Sequence, residues 1–226
     1  MEERVSIIVP VLNEAEGIAN ALRSLAPLRN HGAELIVVDG GSVDATLQHC
    51  AGLADQVLVG PRGRARQMNL GAARATGSIL LFLHADTRLP AQALSLVRQA
   101  LASGKHDWGR FDVIIEGASA LFPIIATLMN WRSRWSGIAT GDQAIFVRCA
   151  AFDAMGGFPD QPLMEDIELS RRLRRRGRPA CFDAKVITSG RRWERGGVWR
   201  TVALMWRLRL LYWLGVSPQR LARSYR

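Results

Sequence analysis

The first hundred residues alternate short apolar segments of strand length with segments of helical periodicity. The predicted strands are Val5–Val9, Leu35–Val38, Val57–Val59 and Ile79–Leu83. Apolar runs without polar alternation are typical of strands buried on both faces, which occur in parallel sheets covered by helices. The alternation therefore predicts an α/β fold with a mainly parallel, Rossmann-like sheet and helices on both faces.

Polar residues follow three of these strands at the point where each strand ends. Asn13 and Glu14 follow the first, Asp39 the second and Asp86 the fourth. The carboxyl ends of parallel strands share one edge of the sheet, where ligands of such folds bind. Each residue also has an ordinary structural alternative. Asp39 suits a turn before Gly-Gly, Glu14 suits the first turn of a helix, and Asp86 can be either a metal ligand or a helix cap.

After residue 104 the pattern changes. A strand is predicted over Trp108–Glu116 and another over Gly141–Val147, with a mostly apolar segment, Ala118–Trp135, between them. Met164–Arg175 predicts a helix that begins with two acidic residues, and Val198–Val216 is apolar around most of its circumference. The chain shows no internal repeat and no low-complexity linker.

Composition and missing motifs exclude several classes of protein. The net charge is +10, and all but two of the 30 basic residues are arginines, which suits nucleic acid, anionic lipid or a phosphorylated substrate. No nucleic-acid reader motif accompanies this charge, and neither a P-loop nor a GxGxxG sequence follows the first strand. The three cysteines form no CxxC pair, and no window reaches the roughly 18 apolar residues of a membrane span, so we expect a cytoplasmic protein with reduced thiols.

Five motifs together resemble those of the family 2 glycosyltransferases and occur in that family's order. They are VPVLNE at 9–14, VDGGSVDAT at 38–46, LHAD at 83–86, GGF at 156–158 and EDIELSRRL at 165–173. Within the family, GRARQMN at 63–69 and GDQAIF at 141–146 resemble a small bacterial subgroup. The resemblance covers about residues 5–195 and is specific as a set.

The resemblance implies the GT-A fold and an inverting transfer of sugar from a nucleoside diphosphate sugar with Mg²⁺ or Mn²⁺, UDP being the favoured nucleotide. It implies a glycosyltransferase domain over residues 1–195, with a donor half of about 1–104 and an acceptor half of about 105–195. Residues 196–226 would form a C-terminal helical segment that either packs on the sheet or contacts the membrane.

The resemblance also assigns roles to individual residues. Asp86 is implied as the metal ligand, and Asp166, with Glu165 beside it, as the catalytic base. Without the resemblance, the dipole at a helix start is the favoured explanation of this acidic pair. The implied donor-binding set is Pro10, Asn13, Glu14, Asp39, Gly41, Arg66, Asn69, His84, Ala85 and Arg192.

Two positions depart from the family's pattern. His84 stands where the metal motif Asp-x-Asp has its first Asp, so His84 could contact the ribose, bind the metal weakly or simply pack. Ser189 replaces the Gln of the Gln-x-x-Arg-Trp motif found in larger members, although Arg192 and Trp193 remain. Processive polysaccharide synthesis is therefore not expected.

The acceptor and the oligomeric state are not specified by the sequence, although a lipid-linked acceptor is compatible with it. Ala118–Trp135 could face lipid, face the acceptor or pack in the core. Aromatic residues and arginines in Val198–Val216 favour peripheral attachment to the inner face of the cell membrane, with a packing helix as the alternative. Two other functions stay open: a nucleotidyltransferase of similar fold, and a non-catalytic nucleotide- or membrane-binding relative.

Overall fold

A computed structural model describes residues 3–225 as a curled sheet of eight strands surrounded by helices. The strands, in the order β3-β2-β1-β4-β7-β6-β8-β5 across the sheet, are β1 Val5–Val11, β2 Glu34–Asp39, β3 Gln56–Val59, β4 Ile79–Phe82, β5 Thr87–Arg88, β6 Trp108–Glu116, β7 Phe146–Arg148 and β8 Ala180–Ser189. The helices are α1 Ile18–Asn30, α2 Thr46–Cys50, α3 Arg64–Arg74, α4 Ala93–Ala102, α5 Phe122–Ser136, α6 Cys149–Ala154, α7 Glu165–Arg174, α8 Arg191–Gly196, α9 Val198–Trp213 and α10 Pro218–Ser224.

The first four strands pair in parallel, as the sequence predicts. Every residue of β1, β2 and β4 is buried, because helices cover both faces of this part of the sheet. Alternate side chains of β1 point to opposite faces of the sheet. Ile7 and Val9 belong to the apolar cluster on one face, and Ile8 belongs to the cluster on the other. The loops that follow β1, β2 and β4 therefore leave the sheet at one common edge.

The second half of the sheet is mixed. β7 pairs antiparallel with both β4 and β6, and β8 runs parallel to β6 with an irregularity between Phe111 and Asp112. The predicted strand over Gly141–Val147 is too long at its start, because Gly141–Gln143 forms a 3₁₀ turn. Gln143 closes that turn, because its side-chain Oε1 accepts a hydrogen bond from Thr140 N at 3.2 Å and its N–H donates to the Thr140 carbonyl at 2.9 Å.

The C-terminal helices pack against the body of the protein. Leu208 of α9 and Leu221 of α10 are buried against Met164, the residue that precedes α7. Val198, at the start of α9, and Ile125 of α5 both pack against the small cluster formed by Ile115, Phe122 and Ala126. Between residues 3 and 225, none of the helices has the combination of length and apolar content that is needed to cross a bilayer.

Candidate active site

A cleft of about 230 Å³ opens at the shared edge of the sheet. Eight of the residues singled out from the sequence line it: Pro10, Glu14, His84, Ala85, Asp86, Glu165, Asp166 and Arg192. The loops after β1 and β4 meet the start of α7 and the start of α8 here. The cleft thus brings together carboxylates from the two halves of the chain.

Asp86 lies exposed at the mouth of the cleft, in the loop after β4. Its backbone carbonyl accepts a hydrogen bond from Ser189 N at 3.2 Å, which ties the loop to β8. Thr87 Oγ1 donates to Asp86 Oδ1 across a long 3.4 Å. Burial, followed by the negative charge of Asp86, raises the pKa of Glu14. Glu14 and Asp86 therefore face the same region of the cleft, and the nearby arginines do not fully neutralise their negative charge.

These residues fit a divalent cation only in part. Carboxylate oxygens are the ligands that Mg²⁺ and Mn²⁺ favour, and Asp86 offers one at an open position. Within residues 3–225, however, there is no cluster of three or more His, Cys, Asp or Glu side chains that could hold a metal ion. A cation at Asp86 would therefore need phosphate oxygens or water for its remaining ligands, as Mg²⁺ commonly does.

His84 forms a contact that the sequence did not predict. Its Nδ1 lies 3.3 Å from Asp142 Oδ1, and this contact with His84 and the charge of Arg64 outweigh burial and lower the pKa of Asp142. A Cβ at Gly141 would overlap the His84 ring, so the 3₁₀ turn approaches the ring closely. The ring is thus oriented by the Gly141-Asp142 turn.

Asp166 is held by backbone groups on both of its oxygens. Gly141 N donates to Oδ2 at 2.8 Å, and Ile167 N donates to Oδ1 at 2.7 Å. Its neighbour Glu165 is buried, and burial together with the adjacent Asp166 raises the pKa of Glu165. The two carboxylates are consecutive in sequence but differ in exposure and in hydrogen bonding.

Two arginines lie on the walls of the cleft near the loop after β4. Arg64, in the first turn of α3, lines the cleft, and the charges of Glu165 and Asp142 raise its pKa although desolvation opposes the rise. Arg192, at the start of α8, stacks over the Tyr225 ring at 4.1 Å from its centroid. Arg191 lies 4.0 Å from Glu14. Positive charge therefore surrounds the carboxylates near Asp86.

Five members of the expected donor-binding set do not line the cleft: Asn13, Asp39, Gly41, Arg66 and Asn69. The Asp39 carboxylate accepts hydrogen bonds from the backbone N–H groups of Gly41 and Ser42, both at 2.9 Å, and from the Ser42 hydroxyl. Asn13 Oδ1 accepts from Val43 N at 2.9 Å. The contact between Asn13 and Val43 connects the loops after β1 and β2 at the rim of the site.

The other two residues, Arg66 and Asn69, project from α3 toward the loop after α6. Arg66 forms a two-bond ion pair with Asp160, at 2.7 and 2.9 Å. Asn69 brackets the backbone of Phe158, donating to its carbonyl at 2.8 Å and accepting from its N–H at 2.9 Å. Direct contact of these residues with a nucleotide stays a prediction.

Four charged residues in or near the cleft were not assigned a role from the sequence: Arg64, Asp142, Arg132 and Arg209. Arg64 and Asp142 stand inside motifs that carried the resemblance, so the motifs were a usable signal for them. Arg132 is in α5, and Arg209, in α9, lines the cleft. Their only signal was an arginine within an otherwise apolar helical segment.

The model of one protein family, "Glycosyl transferase family 2", matches residues 6–152. The chain belongs to glycosyltransferase family 2. The match spans β1 to α6, which includes Asp86 but ends before Asp166. The resemblance noted from the motifs and the expected GT-A fold are confirmed.

Relatives in sequence agree with this family, and solved structures share the fold. A "PGL/p-HBAD biosynthesis glycosyltransferase" of Mycobacterium bovis is 33% identical over 150 residues, covering 63% of this chain and 54% of that protein. The chain thus spans about half the length of this relative. The mannosyltransferase PcManGT from Pyrobaculum calidifontis, solved with GDP-Man and Mn²⁺, has a TM-score of 0.65 and 22% identity, covering 83% of this chain and 57% of that chain. Residues 1–349 of Staphylococcus aureus TarS, solved with UDP-GlcNAc, have a TM-score of 0.63 and 18% identity, covering 82% of this chain and 58% of that chain.

Proposed function

We propose that this chain is an inverting glycosyltransferase that moves a sugar from a nucleoside diphosphate sugar to an acceptor hydroxyl. One observation carries the proposal: Asp86 and Asp166, from the two halves of the chain, line one cleft together with Arg64 and Arg192. A transfer with inversion needs positive charge for a leaving diphosphate and a separate base for the acceptor, and this cleft offers both.

The reaction is a single displacement. The acceptor oxygen forms a bond to the anomeric carbon while the bond from that carbon to the diphosphate oxygen breaks. The acceptor's proton passes to the Asp166 carboxylate, and the nucleoside diphosphate leaves with the bonding electron pair. Asp166 suits this role because two backbone N–H groups fix its orientation in the cleft.

Donor binding is assigned to the loops after β1, β2 and β4. Arg64 and Arg192 would bind the diphosphate oxygens, since arginine is well matched to phosphate. Asp86 is the residue that would hold Mg²⁺ or Mn²⁺, and the bound ion supplies positive charge against the diphosphate as it departs. Solved relatives that bind GDP-Man with Mn²⁺ or UDP-GlcNAc support a nucleotide sugar, with UDP as our preferred nucleotide.

The decisive experiment combines binding with product identity. UDP-sugars and GDP-sugars, each with and without Mn²⁺, are screened for an increase in Tm, because a ligand that binds only the folded state stabilises it. We expect one nucleotide to raise Tm in a metal-dependent way and Asp86→Ala to abolish the metal dependence. Slow hydrolysis of that sugar donor should release the nucleoside diphosphate intact. Release of pyrophosphate would instead favour the nucleotidyltransferase alternative, and absence of any Tm shift would contradict the donor assignment.

Peripheral contact with the cytoplasmic face of a membrane is a further part of the proposal. The exposed face of α5 carries Ile124, Leu128, Trp131 and Trp135, which lie one turn apart, and the exposed face of α9 carries Trp199, Trp206, Leu210 and Trp213. Rows of exposed aromatic and aliphatic side chains beside arginines are typical of helices that lie in the bilayer interface. An acceptor linked to a lipid would then be presented next to the cleft.

A further inference from the structure

Arg132 is partly buried, and part of its guanidinium group has no hydrogen-bond partner among the described residues. Its Nε and Nη2 atoms are shielded from solvent, and neither makes a hydrogen bond to any group in residues 3–225. Burial, reinforced by the charge of Arg209, lowers the pKa of Arg132 to about 10. A buried charge that lacks a partner is costly, so folded proteins rarely keep one without a compensating ligand or function.

Other arginines near Arg132 are neutralised within the protein. Arg110 is fully buried and pairs with Asp112, and Arg134 pairs with Asp112 at 2.9 Å and with Asp183 at 2.5 Å. These pairs join α5 to β6 and β8. Arg132 is excluded from this network although it lies on the same helix, so a structural ion pair does not explain its burial.

Arg209 lines the cleft, and Arg132 lies on the flank of α5 whose Met129 lines it. On α5, Met129 lines the cleft, and Arg132 follows it by three positions on the same flank. On α9, Thr201, Met205 and Arg209 follow one another at intervals of four, and all three line the cleft. The charges of Arg209 and Asp166 both act on Arg132, and the charges of Asp166 and Asp142 act on Arg209.

This arginine pair belongs to the base side of the cleft. The charge of Asp166 acts on both Arg132 and Arg209, whereas Asp86 is the carboxylate that acts most strongly on Glu14. A ligand bound between Arg132 and Arg209 would therefore lie beside the proposed base.

We propose that Arg132 and Arg209 bind an anionic group, a phosphate or a carboxylate, on the acceptor whose hydroxyl faces Asp166. The assignment rests on the proposed glycosyl transfer and adds the chemical class of the acceptor. Guanidinium groups bind such oxyanions through charge-assisted hydrogen bonds. Bound in this way, the anionic group would supply the partner that Arg132 lacks and hold the neighbouring hydroxyl against the base.

Inorganic phosphate is the probe for the test. The full chain is saturated with UDP and Mg²⁺, and the increase of Tm with phosphate is recorded at constant ionic strength for the wild type, Arg132→Gln, Arg209→Gln and Arg207→Gln. Arg207 is the matched control, because it is on α9 but exposed on the other side of the helix. We expect phosphate to stabilise the wild type and the control equally, and its apparent affinity to fall about tenfold or more in the other two variants, since a charge-assisted contact is worth about 1.5–3 kcal/mol.

Two further measurements distinguish loss of phosphate binding from loss of folding. Arg132→Lys keeps the charge and should retain most of the phosphate response. Without ligand, the Tm of Arg132→Gln should equal or exceed that of the wild type, because the substitution removes an unpaired buried charge. A fall in its Tm, together with loss of the phosphate response, would show a structural role and overturn the proposal.

The remaining outcomes separate this proposal from the donor assignment. An unchanged phosphate response in Arg132→Gln and Arg209→Gln overturns the anion site. A large loss of UDP affinity in the same variants also overturns it, because the pair would then bind the donor diphosphate. Failure of UDP to bind the wild type contradicts the proposed function instead, and it is detected without phosphate. Glycerol 3-phosphate and phosphatidate in phosphatidylcholine vesicles, tested as competitors of phosphate, distinguish a free phosphate ester from a lipid headgroup.

Discussion

At the scale of single residues, Glu165 and Asp166 are adjacent in sequence but suited to different tasks. Asp166 is oriented by two backbone N–H groups, whereas Glu165 is buried and has a raised pKa. We expect Asp166→Asn to lower kcat by about 10²–10⁴-fold, the usual contribution of a general base. Glu165→Gln should cost less than about tenfold, because the proposed base, Asp166, remains. Donor hydrolysis, or transfer once an acceptor is known, measures both; a larger loss in Glu165→Gln would transfer the role of base to Glu165.

The raised pKa of Glu165 also predicts how stability depends on pH. The folded protein holds the Glu165 proton more tightly than the unfolded chain does. In the unfolded chain the pKa of Glu165 is close to 4.5. The stability that this group contributes is therefore complete below about pH 4.5 and is lost as pH rises through the folded pKa. Glu165→Gln removes this loss, so its Tm relative to wild type should rise as pH increases above about 4.5.

A control with the opposite sign is available at the surface. The exposed Glu116 has its pKa lowered by Arg88, so Glu116→Gln should show no such gain toward high pH. Parallel curves of Tm against pH for the wild type and Glu165→Gln would mean that the Glu165 pKa is not raised in the folded protein.

The sequence was sufficient to predict some residues of the cleft but not others. Asp86 and Asp166 follow predicted element boundaries, and a strand end or helix start fixes the direction in which a residue faces. Arg132 and Arg209 instead lie within long apolar helical segments, where an arginine can equally face solvent. Only the packing of α5 beside α9 brings their flanks together, and no local pattern encodes that contact.

At the scale of elements, α3 shows that a motif can place a helix at the site without specifying which of its side chains face the cleft. Positions two apart on an α-helix point about 200° away from each other. Arg64 therefore faces the cleft, while Arg66 faces Asp160. The motif located the helix at the site, but the direction of its first turn depends on Gly63 and on how the helix leaves the sheet.

This difference gives a matched pair of variants. Arg64→Gln should raise the KM for the nucleotide sugar roughly tenfold to a hundredfold, because it removes a charge-assisted contact to the diphosphate. Arg66→Gln should leave KM within about twofold, since it breaks only an exposed ion pair, which is worth little. Equal effects, or a larger effect in Arg66→Gln, would restore the role expected for Arg66 from the motif.

The strands also differ in how well the sequence predicts them. Fully buried β1, β2 and β4 are continuous apolar runs and were predicted at nearly their observed bounds. β8 was not predicted, because exposed Asp183 and Lys185 interrupt its apolar residues. Its parallel pairing with β6 joins segments about 70 residues apart in sequence, such as Gly109 and Ala180, and that pairing has no local sequence signal.

At the scale of the whole molecule, exposed apolar side chains concentrate on the outer faces of α5 and α9. Trp131 and Trp135 stack with a centroid distance of 6.4 Å, and Trp206 and Trp213 project from the exposed face of α9. These helices also carry Arg132 and Arg209 toward the cleft. The same two elements therefore form a wall of the cleft on one side and an apolar surface on the other.

That arrangement predicts binding to anionic vesicles. The full chain should sediment with phosphatidylcholine–phosphatidylglycerol vesicles at low salt and be released as ionic strength rises, because basic charge contributes to the attraction and is screened. Substituting Trp131 and Trp206 together by Ser should lower the partition coefficient about tenfold or more, since aromatic side chains bury large apolar areas in the interface. Val59→Ser, on the exposed edge strand β3, removes an exposed apolar side chain elsewhere and should leave binding unchanged. If the wild type stays in the high-speed supernatant at low salt, the membrane contact is wrong, and the two aromatic faces require a protein partner or a second copy of the chain.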